Sequence, residues 1–237
     1  MTTRTALRAA AVAMTSASVL AIAGFTVLGS VFEYPQILQK PTADVLALYR
    51  EHQGAVVGWF LVLVVGAALL APVGVLLGRV RGGRAGRWIS VLGVAAAAVQ
   101  VVGLSRWALF VPGISADALV PSRTADAHRT FELLHRWLGT VIGETIGYVL
   151  TAAFTVLVAR TVVRALAPRW VSVAGQVAAG LVATGVLVPL GVGLATLTNF
   201  AGYVLWCLWL VGVAVVLWRG GLVATATNGA ATVRTPA

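Results

Sequence analysis

Blocks of twenty or more mostly apolar residues recur along this chain, and they are separated only by short polar connectors. A run of that length spans the hydrocarbon of a bilayer as a helix, because only a helix satisfies its own backbone there. The composition agrees: 59% of the residues are hydrophobic and 10% charged, with a mean hydropathy of +0.95. A soluble domain carries roughly a quarter of its residues as charges. No polar segment is long enough to bury a second core. The chain is therefore expected to be all-α, a polytopic transmembrane helical bundle.

Six spans are expected, at about 8–31, 54–78, 88–112, 137–160, 171–191 and 199–218. They form one domain over 1–219, followed by a disordered cytoplasmic tail over 220–237, where residues are small and polar. The first block continues past Ala21-Ile22-Ala23, which resembles a signal-peptidase site, as far as Phe32. That exceeds a typical signal-peptide core, so an uncleaved span is expected. In the outer segment 41-PTADVLALYREHQ-53, Val45, Leu46, Leu48 and Tyr49 give an amphipathic turn or two, expected to lie at the membrane interface. The helical pattern beginning after Pro121 runs without a breaker into the fourth span and should project above the membrane.

The formal charge of +10 raises the question of nucleic acid. Placing the charges removes it. Arg4, Arg8, Arg79, Arg81, Arg84, Arg87, Arg160, Arg164, Arg169, Arg219 and Arg234 fall in the ends and loops of one side, and none of the seven acids falls among them. This is the positive-inside pattern, predicting both termini in the cytoplasm (N-in/C-in) and residence in the cytoplasmic membrane. The lipid bilayer is the first partner, and anionic headgroups account for the remaining positive charge. No nucleic-acid partner is expected. Sixteen arginines against one lysine, with abundant Ala, Val and Gly, point to a GC-rich bacterial genome. The lone Cys207 rules out a disulfide framework or a thiolate metal cluster. The eight tryptophans fall mostly near span ends, as an aromatic belt requires.

Two charged residues break the apolar pattern inside spans. Glu144 lies in 135-HRWLGTVIGETIGYVLTAAF-154, about 12 Å below Arg136 at 1.5 Å per residue. A carboxylate at that depth costs about 2.5–3.5 kcal/mol on insertion scales, so it must face protein or a polar cavity. Arg106 in 104-LSRWALFVP-112 sits at nearly the same depth, about 9 Å from the outer end of its span. The two are expected to pair. At 100° per residue, Arg136, Thr140, Gly143, Glu144, Gly147, Thr151 and Thr155 share one helix face, with Gly139, Gly143 and Gly147 forming a close-packing groove. Gln100, Tyr148, Asn199 and Tyr203 can add hydrogen bonds to the same pocket. A purely structural clasp fits these residues as well as a ligand or proton site does.

A second constellation is 128-HRTFELLH-135. His128, Glu132 and His135 project from one helical face, a spacing that can hold zinc or iron. A solvated polar face explains the same residues, and no cofactor is the default expectation. The chain lacks G-x-x-x-x-G-K-[ST], H-E-x-x-H and G-x-S-x-G, which removes P-loop, zincin and nucleophile-elbow chemistry.

The segments 29-GSVFEYPQIL-38, 106-RWALFVP-112, 135-HRWLGTVIGETIGY-148 and 199-NFAGYVLWCLWL-210 resemble the bacterial "domain of unknown function 4386" family of multi-pass membrane proteins. The resemblance covers nearly the whole chain and implies a six- or seven-helix membrane domain with no assigned activity. It places Arg106, His135, Glu144, Asn199 and Tyr203 at the family's polar motif positions.

The preferred expectation is binding or transport of a small molecule or lipid, or proton-coupled transport, at a polar intramembrane pocket, without enzymatic chemistry. A metal-dependent hydrolase at the outer face and a non-catalytic regulatory or scaffolding subunit are the alternatives. The chain is short for a transporter unless it forms a homo-oligomer, and no pair of broken helices is evident.

Overall fold

The computed structural model describes residues 2–232, with side chains described over 2–220. The expected tail over 220–237 lies outside the described side chains. Six helices are long and apolar enough to cross a membrane: Thr3–Phe32, Gln53–Arg81, Gly83–Asp117, Thr124–Leu166, Arg169–Leu190 and Gly193–Gly220. No strand occurs among the described residues. The molecule is an all-α, multi-pass membrane bundle. Large apolar side chains remain exposed on every span, among them Val12, Leu61, Val102, Val149, Val177 and Leu208. In water such a belt would drive aggregation; in a bilayer it is the lipid-facing surface.

Glycine sets the closest helix contacts. The second and third spans are joined at Gly82 and Gly83, whose φ values of 63° and 62° lie in the region that side chains disfavour. Above that turn the two helices run almost in contact: a Cβ on Gly74 would lie 2.9 Å from the Gly93 Cα. Ser90 Oγ donates across the same seam to the Gly74 carbonyl at 3.4 Å. The fifth and sixth spans are joined just as tightly through Gly191, at φ 80°.

Apolar packing divides into two clusters. One fills the interior towards the arginine-rich end, with Met14, Leu77, Ile89, Phe154, Trp206 and Leu210. The other closes the acid-bearing end around Phe32, Leu46, Tyr49, Phe60, Trp107 and Phe131. Trp107 is its hub, stacked on Phe60 at 5.0 Å and edge-on to Phe32 at 5.1 Å.

Two expectations are corrected here. The helix Thr42–Glu51 does not lie on the lipid interface: Val45, Leu46 and Tyr49 are buried in the aromatic cluster, and the Tyr49 hydroxyl donates to the Trp107 carbonyl at 2.9 Å. It plugs the end of the bundle. Trp107, Trp206 and Trp209 are likewise core residues rather than belt residues. The indole N–H groups of Trp206 and Trp209 find interior acceptors in Thr155 Oγ1 and the Val171 carbonyl, each at 2.8 Å. Trp88, Trp137, Trp170 and Trp218 are exposed, as a belt requires.

Candidate functional site

Arg106 is 3% exposed, near the acid-bearing end of the third span. Missing side chains make room for it. A Cβ on Gly103 would lie 2.7 Å from the Gly143 Cα, so the third and fourth spans touch backbone to backbone. One turn along the fourth span, a Cβ on Gly139 would lie 2.9 Å from Arg106 Nη2 and 3.1 Å from His135 Nδ1. The guanidinium fills the notch that Gly139 leaves. Its Nη1 donates to the Gly103 carbonyl, and its Cζ lies 5.1 Å from the centre of the Trp107 ring. Nη2 is buried without a hydrogen-bond partner, and so is His135 Nδ1. Two polar nitrogens therefore flank one notch with hydrogen-bonding capacity unused.

Glu144 is half-buried on the fourth span, and no carboxylate oxygen of it comes within 4.0 Å of the Arg106 guanidinium. The expected ion pair is thus not formed. The two charges share a neighbourhood instead, and Tyr34 marks it. Burial pushes the Tyr34 phenol up to about 12; the Glu144 charge adds to that rise, and the Arg106 charge and hydrogen bonding to the Arg106 side chain oppose it. Tyr34 comes from the loop after the first span. Its only sequence signal is membership of the 29–38 motif segment.

The remaining expected pocket residues separate by role. Gln100 Nε2 donates to Thr151 Oγ1 at 2.9 Å, tying the third span to the fourth. Asn199 Nδ2 donates to the Val182 carbonyl at 2.6 Å, tying the sixth to the fifth. Both are occupied as helix ties. Tyr148 packs edge-on to Tyr203 at 5.8 Å, and Tyr203 edge-on to Trp206 at 6.0 Å. Gly185 admits this ladder: a Cβ there would collide with the Tyr148 ring and with Asn199 Nδ2.

The fourth span does not follow the expected 100° pattern throughout. From His135 to Ile146 it is wound as a π-helix, whose i→i+5 bonds take more residues per turn than an α-helix. Gly147, Thr151 and Thr155 are buried as expected, but Arg136 is exposed and does not share their face.

His128, Glu132 and His135 are not brought together. No group of three or more His, Cys, Asp or Glu among the described residues is placed to hold a metal ion. Glu132 is exposed and accepts from Thr42 Oγ1 at 3.0 Å, whereas His135 turns inward and stacks on Phe131 at 6.2 Å with a 6° tilt.

Chemically, the arrangement offers a buried guanidinium donor, an adjoining imidazole and a nearby carboxyl that no cation neutralises by contact. Such a set suits an acidic group on a guest molecule, with a proton-carrying residue beside it. A family model described as "Domain of unknown function (DUF4386)" matches residues 10–213, which take in Tyr34, Arg106, His135, Glu144, Tyr148, Asn199 and Tyr203. No curated protein and no solved structure matches the chain.

Proposed function

We propose, from the premise that the chain belongs to the family described as Domain of unknown function (DUF4386), that this membrane protein binds a small molecule or lipid bearing an acidic group at Arg106 and carries it in a proton-coupled transport role. The observation that supports this reading most is the unpartnered Nη2 of a residue that is 3% exposed. Burying a charged donor without an acceptor costs several kcal/mol, and an ion pair with Glu144 does not offset it. A carboxylate or phosphate seated beside the Gly139 notch would complete the guanidinium and reach His135. Glu144 and Tyr34 would then sense the added negative charge, and Glu144 would carry a proton that offsets one unit of it as the guest crosses the membrane.

The chain is proposed to lie in the cytoplasmic membrane with both termini inside, a reading supported by the arginine-rich connectors at 79–87 and 160–170. The Arg106 site then lies towards the outer side, beneath the plug formed by Thr42–Glu51.

The test uses purified full-length protein in liposomes loaded with the pH dye pyranine. Benzoate, succinate and glycerol phosphate are added outside in turn. At least one should drive internal acidification, with Arg106→Gln and Glu144→Gln each reducing the rate at least about tenfold. If none moves protons or raises the Tm of the wild-type protein, and Arg106→Met with Glu144→Met leaves the cellular phenotype intact, the proposal fails.

A further inference from the structure

At the opposite end of the bundle the first and sixth spans border a groove of ≈ 560 Å³, lined by Thr2, Arg4, Thr5, Arg8 and Trp218. Arg4 and Arg8 are one turn apart on the first span and present two guanidinium groups to one side. Arg8 Cζ lies 5.0 Å from the centre of the Trp218 ring, which holds that side chain across to the sixth span. The Nε atoms of both arginines are buried without a hydrogen-bond partner. Among the described residues no carboxylate lies within 4.0 Å of either, and the sequence beyond residue 220 contains no Asp or Glu.

A second groove of ≈ 330 Å³ continues from the first, sharing Val12 and Trp218 with it. It runs deeper between the same two helices, past Ala11, Thr15, Ala214 and Val215. Its walls are mainly apolar, with the Thr15 and Ser16 hydroxyls as the polar exceptions. The cationic mouth therefore opens into an apolar trough directed towards the bilayer interior.

We infer that this double groove binds one acidic phospholipid, its phosphate held by Arg4 and Arg8 and an acyl chain lying in the trough beside Ala214. The chemistry at the mouth is that of a phosphate oxyanion, which two guanidinium groups bind through charge-assisted hydrogen bonds. The trough favours a lipid over free phosphate, because inorganic phosphate would leave the apolar walls to nonspecific lipid tails. This site is separate from the Arg106 pocket.

The experiment is native mass spectrometry of full-length protein from micelles containing phosphatidylglycerol and phosphatidylcholine in equal amounts, with Tm measured in inorganic phosphate as a second arm. Wild type should retain one phosphatidylglycerol in preference to phosphatidylcholine. Arg4→Gln with Arg8→Gln should weaken that retention about tenfold or more, as expected for removing two charged donors. Thr15→Trp, which fills the trough without altering charge, should weaken it as well. Arg79→Gln with Arg84→Gln removes two exposed arginines elsewhere and should leave it unchanged. Retention unaffected by the Arg4 and Arg8 changes, or reduced equally by the Arg79 and Arg84 changes, would overturn the site. Stabilisation by inorganic phosphate that needs Arg4 and Arg8 but survives Thr15→Trp, with no lipid preference, would overturn the lipid assignment and leave a free-phosphate site.

Discussion

Gly103 and Gly143 meet backbone to backbone beside Arg106, and the side chain either one lacks is what lets the third and fourth spans pack so closely there. A Cβ on Gly103 would sit 2.7 Å from the Gly143 Cα and 3.0 Å from the Leu138 carbonyl oxygen. Both obstacles are backbone, so neither can swing aside. Gly103→Ala is expected to destabilise by about 1–3 kcal/mol, the usual cost of overpacking. It should also weaken any ligand effect at Arg106. Gly58→Ala, where nothing lies within 4 Å, should stay within about 0.5 kcal/mol of wild type. Thermal unfolding of the two variants in the same detergent tests the contrast, and equal effects would refute the close-contact account.

A double-mutant cycle separates a shared neighbourhood from an ion pair. Breaking a buried pair by removing one partner costs about 3–5 kcal/mol, because the other charge is stranded. Arg106 and Glu144 are not in contact. Their coupling in stability should therefore be below about 1 kcal/mol. Arg106→Met should change the stability of the ligand-free protein by no more than about 1.5 kcal/mol, since the lost Nη1 bond to the Gly103 carbonyl is offset by removing the unpartnered Nη2. The same variant should abolish ligand-induced stabilisation. A coupling near 3 kcal/mol would restore the clasp reading.

The spans were legible because long apolar blocks admit one solution in a bilayer, and the tight turns at Gly82, Gly83 and Gly191 fall in the connectors between them. The proximity of Arg106 and Glu144 was legible for a similar reason: they are the two charges set deep within apolar runs. The missing ion pair was not, because contact depends on a few ångströms of helix rotation. The π-winding over His135–Ile146 supplies rotation that a uniform 100° step cannot represent. The place of Tyr34 beside Arg106 carries no sequence signal of depth or charge, because only the tertiary packing of a loop 72 positions earlier in sequence brings it there. Trp107, Trp206 and Trp209 read as belt residues by position, but neighbours from other spans bury them.

The histidine trio provides a third test. His128→Ala should shift stability by no more than about 0.5 kcal/mol, as for an ordinary half-exposed polar residue. Glu132→Ala should lose about 1 kcal/mol or less with its exposed Thr42 hydrogen bond. His135→Ala should cost more than either, because it removes the ring stacked on Phe131. Added zinc should not raise Tm in the wild type relative to the three variants. Stoichiometric zinc lost on His128→Ala would show that the trio assembles after all.

Tyr49 gives the acid-bearing end a pH dependence that can be read directly. Its hydroxyl donates to the Trp107 carbonyl at 2.9 Å, and burial pushes its phenol up to about 12. The Tyr34 phenol is raised to the same region. An unfolded tyrosine loses its proton near 10, whereas these two keep theirs in the folded protein until about 12. Their contribution to stability is therefore fully present below pH 10 or so and is lost as the pH climbs towards about 12. Tyr49→Phe should cost about 1 kcal/mol at neutral pH through the lost hydrogen bond. It should also make the alkaline decline shallower, by the share that the Tyr49 phenol contributes to it. Leu46→Ala, which hollows the same plug, should cost about 2–5 kcal/mol with the alkaline slope unchanged. Unfolding midpoints at about pH 8, 10 and 11.5 for the three proteins decide it. A Tyr49→Phe curve that falls as steeply as wild type would show that the plug does not hold the phenol as described.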